Sequence, residues 1–385
     1  MMPRHDTPPR TRSTMALTVM QLLPELNVGG VEQGTVEIAQ ALVAAGHRAL
    51  VVSAGGRMVA ELERAGAQHF MLPIGRKRVS TIFLVRKLRE LLLAENVDIV
   101  HGRSRVPAWI GHLALKGMDP ARRPHWVTTV HGPYTVNSYS RIMASGERVI
   151  AISEFIREYI FRNYPDTPAE RVTVIPRGVD PAIYPHGYRP PAAWLAQWQA
   201  EQRQLSDKKI LTLPARLTRW KGQQEFIELV GRLHAAGLPV HGLIVGGPHP
   251  RKKEFEGELR ARVAEAGLNS AITFLGARTD LREILAISAI AFSLTREPEA
   301  FGRTTLEALS LGTPVVGFDH GGTGEILRAS YPAGLVPAGD VAAAAERTRA
   351  LLETPVAVPA GHPFTLARMQ AATLDVYAAL AATAT

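Results

Sequence analysis

Two glutamates, Glu299 and Glu307, are the residues of this sequence with the most evident chemical use. They flank Gly302 in the stretch "REPEAFGRTTLEALSLGTPVVGFDHGGTGEIL", residues 296–327. An ionised carboxylate accepts hydrogen bonds and donates none, so a pair of them suits a ligand that displays hydroxyl groups. The simpler alternative is that both are helix-end charges favoured by the macrodipole. Glu299 fits that alternative, whereas Glu307 fits it poorly because it lies deeper in an apolar helix.

The residues between the two glutamates predict a binding site for an anion. A helix is expected from about Arg303 to Leu311, ended by Gly312. Backbone N–H groups at a helix start lack intrahelical partners and lie at the positive end of the helix dipole. The candidate anion contacts are Phe301, Gly302, Arg303 and Thr304. A ligand with an anionic middle and hydroxyl-bearing ends is a nucleotide-diphosphate sugar.

Other candidate residues follow other apolar segments. Arg216 and Lys221 lie between a strand and a helix, where cations can offset charge on a leaving diphosphate. Gly29 and Gly30 precede a helix and would let a phosphate approach backbone N–H groups, although a plain tight turn explains them equally well. His131 ends another strand and is expected to be a catalytic residue that donates a hydrogen bond to the sugar or the leaving phosphate, although a histidine there is often only a structural group.

These residues must be positioned by a mostly parallel α/β architecture. Apolar strand segments alternate with helical patterns over 17–180 and again over 208–318, around the irregular Pro-rich segment 184–194. Two such series predict two doubly wound Rossmann-like domains that face each other across a cleft. Ligands bind beyond the carboxyl ends of parallel strands, so the candidate residues are expected at those edges.

The composition agrees with this architecture and narrows the class of protein. A chain of 385 residues exceeds what one hydrophobic core usually supports. Its 46% hydrophobic and 21% charged residues are typical of a soluble globular protein, and neither a membrane-spanning run nor a signal peptide is visible. The absence of cysteine excludes disulfides and thiolate metal sites and fits a cytoplasmic location. The net charge of +9 indicates an anionic partner, such as a nucleotide, a nucleic acid or a membrane surface.

Several motifs together resemble the retaining glycosyltransferases of family 4, which have the two-domain glycosyltransferase-B (GT-B) fold. "EAFGRTTLEAL" resembles the Glu-x7-Glu motif of that family. The match extends over nearly the whole chain from Leu17. Its other motifs are, in order, "NVGGVE", "VDIVH", "TVHG", "VIPRGVD", "ARLTRWKG", "FLG" and "GTPVVGFDHGGTGEIL".

The resemblance implies a role for each candidate residue. Glu299 is implied to hold hydroxyls of the donor sugar, and Glu307 to hold the ribose. Arg216 and Lys221 are implied to neutralise the diphosphate, and His131 to lie beside the transferred sugar. The remaining implied donor contacts are Gly29 and Gly30 in the amino-terminal domain and the backbone around Leu275 and Gly276 at the nucleobase.

The reaction implied by the resemblance is transfer of a hexose with its anomeric configuration kept. The departing diphosphate would help to deprotonate the acceptor in a front-face substitution, and Glu299 would not act as the nucleophile. The family as a rule needs no metal, and no cofactor is expected besides the nucleotide-sugar co-substrate. The chain departs from the family where Arg177 replaces a frequent Asn and where Ala215 replaces a frequent Gly.

The acceptor is suggested by a basic segment, 74–89, with six basic residues and no acidic one among apolar neighbours. Such a segment can dock on an anionic membrane, although a solvated basic helix is an equal alternative. We therefore expect a peripheral enzyme on the inner face of the cytoplasmic membrane that builds a bacterial envelope glycan or glycolipid, such as lipopolysaccharide core. The alternatives are a soluble glycosyltransferase making a small glycoside or glucan, and a sugar-nucleotide epimerase of the same fold. Nucleic acid is not an expected partner because no interleaved aromatic platform is visible.

The expected domain organisation follows from these patterns. Residues 1–15 are polar and Pro-rich and are expected to form a disordered arm. An amino-terminal acceptor-side domain is expected over 16–185, a linker over 186–205, and a nucleotide-sugar-binding domain over 206–362. A carboxyl-terminal helix within 363–385 is expected to pack back on the amino-terminal domain.

Overall fold

The computed structural model describes residues 16–27, 29–75, 83–247 and 254–382. The expected arm over 1–15 lies outside the described residues, as does the part of the basic segment 74–89 that covers 76–82.

The first sheet has seven parallel strands in the order β3-β2-β1-β4-β5-β6-β7. The strands are β1 (Thr18–Leu22), β2 (Arg48–Ser53), β3 (Gln68–Met71), β4 (Ile99–Gly102), β5 (His125–Val130), β6 (Arg148–Ala151) and β7 (Val172–Val174). The helices between them are α1 (Gly30–Ala44), α2 (Val59–Arg64), α3 (Leu84–Ala94), α4 (Arg105–Lys116) and α5 (Glu154–Asn163). The order of the strands reverses between β1 and β4, and Gly29 and Gly30 follow β1 at this point.

The second sheet has six parallel strands in the order β10-β9-β8-β11-β12-β13. The strands are β8 (Lys209–Pro214), β9 (Val240–Val245), β10 (Ile272–Gly276), β11 (Ile290–Ser293), β12 (Val315–Phe318) and β13 (Leu335–Val336). The helices are α6 (Ala192–Glu201), α7 (Gln223–Ala235), α8 (Glu254–Glu265), α9 (Leu281–Ile287), α10 (Arg303–Leu311), α11 (Gly321–Ser330), α12 (Val341–Glu353) and α13 (Leu366–Ala381). Here the order reverses between β8 and β11, the usual position of a ligand site in such sheets.

The prediction of two doubly wound, Rossmann-like α/β arrangements is confirmed. The central strands are apolar on both faces because helices cover both, and Val19, Met20 and Leu22 of β1 are fully buried. The sequence pattern missed β3 and β13. β3 is a half-exposed edge strand without an apolar run, and β13 has only two residues, Leu335 and Val336.

Contacts within the chain group its residues into two units. The first contains the residues up to Thr128 and those from Val376 onward, and the second is Thr129–Asp375. The predicted linker 186–205 falls inside the second unit, and the predicted domain boundaries stay predictions. None of the helices in the described ranges is long and apolar enough to cross a membrane.

The end of α13 packs in the first unit, where Tyr377 makes a buried hydrogen bond to His101 of β4. The Tyr377 hydroxyl lies 2.6 Å from His101 Nδ1, and both side chains are buried. Burial raises the pKa of Tyr377, so the phenol stays protonated. His101 therefore has a structural role in β4.

Candidate active site

The helix expected between the two glutamates is present as α10. It begins after Gly302, whose φ is 99°, and it is followed by Gly312, whose φ is 89°. Both glycines adopt left-handed backbone conformations in which other residues are strained. Glycine before α10 supplies no capping oxygen, so the start of the helix keeps the character of an anion site.

The double glycine at the start of α11 holds the loop that carries Glu299. The N–H of Gly322 donates to the carbonyl oxygen of Glu299 at 2.8 Å. A Cβ added to Gly322 would lie 2.2 Å from the Cα of Phe301, so only glycine fits there. The loop at 299–301 therefore packs directly against the backbone of α11, which fixes the position of Glu299.

Lys221 and Glu299 form an ion pair between the ammonium and Oε1. Their side chains are only 19% and 12% exposed, and the Lys221 nitrogen also lies 4.2 Å from the centre of the Trp220 ring. The pair forms because β8 and β11, the strands that precede these two residues, are neighbours in the sheet. The other carboxylate oxygen of Glu299 lies 3.5 Å from the position of a Cβ built on Gly302, above the start of α10.

Glu307 is a buried carboxylate, 8% exposed, in the middle of α10. Arg303, one helical turn before it, donates from Nε to Glu307 at 3.1 Å. Tyr184, from the irregular segment after β7, also hydrogen-bonds Glu307. Burial and then the Glu307 charge raise the pKa of Tyr184 to about 12, so its hydroxyl is the donor in that bond. Two donors therefore orient Glu307.

The predicted diphosphate and nucleobase contacts lie at the ends of β8 and β10. Arg216 is exposed just after β8, and its carbonyl oxygen accepts a hydrogen bond from the Gln223 side chain at 3.0 Å. Gly276 ends β10 with a φ of 66°. The half-buried Leu275 side chain packs against a core cluster that includes Trp198, which leaves the backbone as the expected ligand contact at this position.

The side chain of Phe301 is buried against a second aromatic ring, and Thr304 is half-buried in the first turn of α10. The ring centroids of Phe301 and Phe364 are 5.8 Å apart in an edge-on arrangement. Phe301 therefore anchors the loop before α10.

His131 follows β5 and contacts Arg177. The Arg177 guanidinium Nη2 lies 2.5 Å from Nδ1 of His131, and Arg177 is 8% exposed. The backbone N–H of His131 donates to the Tyr134 hydroxyl at 3.3 Å. The sequence singled out Arg177 only as a departure from the family pattern.

Two family models match the chain, one on each half. The model described as "Glycosyltransferase Family 4" matches residues 28–183, and the model described as "Glycosyl transferases group 1" matches residues 196–361. Together they cover every strand except β1 and every residue that the sequence analysis assigned to the site. The chain is a glycosyltransferase of the GT-B fold.

Curated relatives of this glycosyltransferase are similar at modest identity. An alpha-maltose-1-phosphate synthase of Mycolicibacterium smegmatis is 27% identical over 252 residues, which are 61% of this chain and 62% of that protein. The lipopolysaccharide core biosynthesis mannosyltransferase LpsB of Rhizobium meliloti is 35% identical over 138 residues, which are 34% of this chain and 38% of that protein.

Solved structures show the same fold over nearly the full length. A glycosyltransferase from Rickettsia africae superposes with a TM-score of 0.82 at 27% identity, covering 95% of this chain and 99% of that one. Anabaena HepE, solved in complex with UDP and glucose, superposes with a TM-score of 0.79 at 20% identity, covering 94% and 100%.

Helix α5 of the glycosyltransferase is bound at its start to the loop and helix around Glu299. The Ser153 hydroxyl donates to the carbonyl oxygen of Ala300 at 2.6 Å. The Glu325 carboxylate of α11 accepts from the backbone N–H groups of Glu154 at 3.0 Å and Phe155 at 2.6 Å. Burial raises the pKa of Glu325, whereas these two backbone donors oppose that rise.

Gly29 and Gly30 of the glycosyltransferase lie in the first unit at the start of α1. A Cβ on Gly30 would meet nothing within 4 Å, and Gly30 is not among the described glycines with positive φ. At Gly29 it would meet only the far end of the flexible Glu32 side chain. Neither packing nor backbone geometry therefore requires glycine here.

The site combines predicted residues with four that sequence patterns did not assign to it. The structure brings Lys221 to Glu299 and Arg303 to Glu307. The additional residues are Ser153, Arg177, Tyr184 and Glu325. Serine before a helix is a capping signal, but its bond to Ala300 depends on tertiary structure.

The arrangement can bind two kinds of ligand group. The side chains of Arg216 and Lys221 and the start of α10 suit an anion, and the carboxylates of Glu299 and Glu307 suit hydroxyl groups. Within the described ranges, no group of three or more histidine, aspartate and glutamate side chains is arranged to hold a metal ion.

Proposed function

We propose that this glycosyltransferase moves a hexose from a nucleotide-diphosphate sugar to an acceptor with retention of the anomeric configuration. The observation that carries the proposal is the Lys221–Glu299 pair above the uncapped start of α10. A diphosphate suits Lys221 and the helix start, and sugar hydroxyls suit Glu299. Glu307, oriented from two sides, suits the paired hydroxyls of a ribose.

In the proposed reaction, the bond between the anomeric carbon and the diphosphate oxygen breaks while the acceptor oxygen bonds to the same face. The acceptor proton passes to the departing phosphate oxygen, which leaves as nucleoside diphosphate. Lys221, Arg216 and the start of α10 stabilise the charge that builds on that oxygen. Glu299 holds the sugar and is not the nucleophile.

A thermal-shift panel of UDP-, GDP- and ADP-sugars tests the donor assignment. A specific donor stabilises the fold that binds it, so one nucleotide series should raise Tm in a concentration-dependent way. Anomeric NMR of the product should then show the configuration of the donor. No shift with any of the three series, or an inverted product, would contradict the proposal.

We expect catalysis without a metal ion because Arg216 and Lys221 supply positive charge at the diphosphate. Alanine at either position should lower kcat by about 10²–10³-fold, the usual cost of losing one preorganised electrostatic contact. Activity should persist in EDTA. Loss of activity in EDTA that Mg²⁺ or Mn²⁺ restores would refute metal independence.

For the acceptor we propose a glycan or glycolipid of the bacterial envelope, reached at an anionic membrane. The similarity to LpsB supports this choice, as does helix α3. In α3, Leu88 and Leu92 are buried while Arg86 and Lys87 are exposed, and Phe83 just before it is 75% exposed. Basic and apolar groups in one exposed region suit a membrane surface, and each basic residue contributes about 1 kcal/mol there.

Vesicle co-sedimentation tests this membrane assignment. Binding should require anionic lipid, fall as salt rises, and be lost when Arg76, Lys77, Arg86 and Lys87 are neutralised together. Arg89 is left unchanged because it donates to the carbonyl oxygen of Ala114 at 3.1 Å. The matched control neutralises four exposed basic residues of the second unit, Arg203, Lys208, Lys209 and Arg262. Equal binding to zwitterionic vesicles would refute the assignment.

A second candidate is a glycosyltransferase that makes a small glycoside or glucan in solution. The similarity to alpha-maltose-1-phosphate synthase favours it. Transfer to a small sugar or sugar phosphate, together with no vesicle binding, would select this candidate over the envelope glycan.

A further inference from the structure

The contact between Arg177 and His131 restricts where the histidine can carry its proton. A guanidinium has N–H donors and no acceptor, and it remains charged in proteins. At 2.5 Å from Nη2, the Nδ1 atom of His131 must therefore present its lone pair. An imidazole whose Nδ1 accepts a hydrogen bond is neutral and carries its proton on Nε2.

Arg177 is held in place by the backbone that follows it. The N–H of Val179 donates to the carbonyl oxygen of Phe364 at 3.1 Å, and the N–H of Leu366 donates to that of Val179 at 2.8 Å. A Cβ on the intervening Gly178 would lie 2.3 Å from the backbone of Thr365, so the two segments are in direct contact. The second guanidinium nitrogen, Nη1, lies 3.8 Å from the sulfur of Met369.

We propose that Arg177 is a positioning residue that fixes His131 in its Nε2–H tautomer. His131 then offers a hydrogen-bond donor to an oxygen of the donor hexose or its phosphate, and it has no free lone pair with which to act as a base. This step rests on the proposed function, because it takes the transferred sugar to lie beside His131. The tautomer itself depends only on the Arg177 contact.

The tautomer is tested directly by ¹⁵N NMR of the histidine side chains in the nucleotide-free protein, with His131→Gln identifying the signal. The parent and Arg177→Lys should show the proton on Nε2, because an ammonium is also only a donor. Arg177→Met has similar length and no donor, and it should show protonation or a mixture of tautomers. A parent signal with the proton on Nδ1, or with both nitrogens protonated, overturns the proposal.

Transfer kinetics test the consequence for catalysis. Arg177→Met should lower kcat by about tenfold or more, the usual effect of losing one well-placed hydrogen bond, while Arg177→Lys keeps most of the rate. The Gln side chain places its amide near Nε2 and Asn places it near Nδ1, so His131→Gln should retain more activity than His131→Asn. Parent-like turnover by Arg177→Met after its tautomer has changed, or a more active His131→Asn, overturns the positioning role.

These two measurements separate this proposal from the proposed function. The NMR result needs neither donor nor acceptor, so an Nε2–H tautomer in a protein that binds no nucleotide-sugar would refute the function and leave the tautomer assignment standing. If the protein transfers sugar from a nucleotide-sugar but His131 carries its proton on Nδ1, the tautomer assignment is refuted and the proposed function stands.

Discussion

Replacing Glu299 with glutamine should have opposite effects on nucleotide binding and on sugar transfer. Lys221 pairs with Glu299 in the described structure, so a diphosphate must compete with that carboxylate for the ammonium. Glutamine keeps the size of the side chain and removes its charge. The free nucleoside diphosphate should then bind more tightly, while transfer slows because sugar hydroxyls lose a charged acceptor.

The size of the binding effect follows from the environment of the pair. Two unit charges 4 Å apart attract by about 4 kcal/mol at an effective dielectric constant of about 20, whereas exposed pairs contribute less than about 1 kcal/mol. The Lys221 and Glu299 side chains are 19% and 12% exposed, which is between these limits. Binding of the diphosphate to the parent therefore costs about 1–2 kcal/mol for breaking the Lys221–Glu299 attraction. Glu299→Gln removes this cost, so Kd for the nucleoside diphosphate should fall about 5- to 30-fold. Transfer should fall about 10²-fold.

Isothermal titration with the nucleoside diphosphate selected by the thermal-shift panel measures the first effect, and steady-state transfer measures the second. Glu297→Gln is the matched control, because Glu297 lies on the same loop, is exposed, and loses the same charge. The control should leave both values within about twofold, since distant exposed charges are screened. Unchanged or weaker nucleotide binding by Glu299→Gln would refute the competition between carboxylate and diphosphate.

Three further predictions concern the surroundings of the site. Tyr184→Phe removes one of two donors to Glu307, and calorimetry should show nucleotide affinity lowered about fivefold, from a loss of about 1 kcal/mol. Gly30→Ala should stabilise the fold by about 0.4–1 kcal/mol and so raise Tm, because the unfolded chain loses conformational freedom. The same variant should raise KM for the donor, and an unchanged KM would show that Gly30 does not contact the donor. Burial raises the pKa of Glu325 in the folded state, so the folded protein holds this proton more tightly than the unfolded chain does. The resulting gain in the free energy of unfolding is complete below the unfolded-state pKa of about 4.3, and it is lost as pH rises through the folded-state pKa. Urea unfolding across that range should show the parent losing stability relative to Glu325→Gln as pH rises, and a difference that grows in the other direction would contradict the assignment.

The parts of the site that were predictable from sequence are those with a local cause. Gly302 and Gly312 bound a short apolar run, so the limits of α10 follow from helix-ending rules. Lys221 and Glu299 are 78 residues apart, and only the pairing of β8 with β11 brings them together. Sequence periodicity predicts that strands exist but does not order them within a sheet.

The residues that sequence patterns left unassigned share a different reason. Arg177 and Tyr184 lie in irregular segments after β7, where no helical or strand period shows which way a side chain points. Their partners, His131 and Glu307, are distant in sequence and are reached through the fold. Tertiary contacts of this kind need coordinates or an alignment of co-varying positions.

The bonds at the start of α5 determine how the polypeptide can be divided into fragments. A cut within 186–205 would separate Ser153 from Ala300, and Glu154 and Phe155 from Glu325, so these three hydrogen bonds would be broken. It would also break the two backbone bonds that join Val179 to Phe364 and Leu366. Each half would then expose groups that only the other half satisfies, including the half-buried Glu325 carboxylate. Two such halves are suited to complementation, in which activity returns on mixing, and Glu325→Ala in one half should weaken that reassembly. The same bonds mean that exchanging halves between relatives at this linker requires both sides of the contact to be exchanged together.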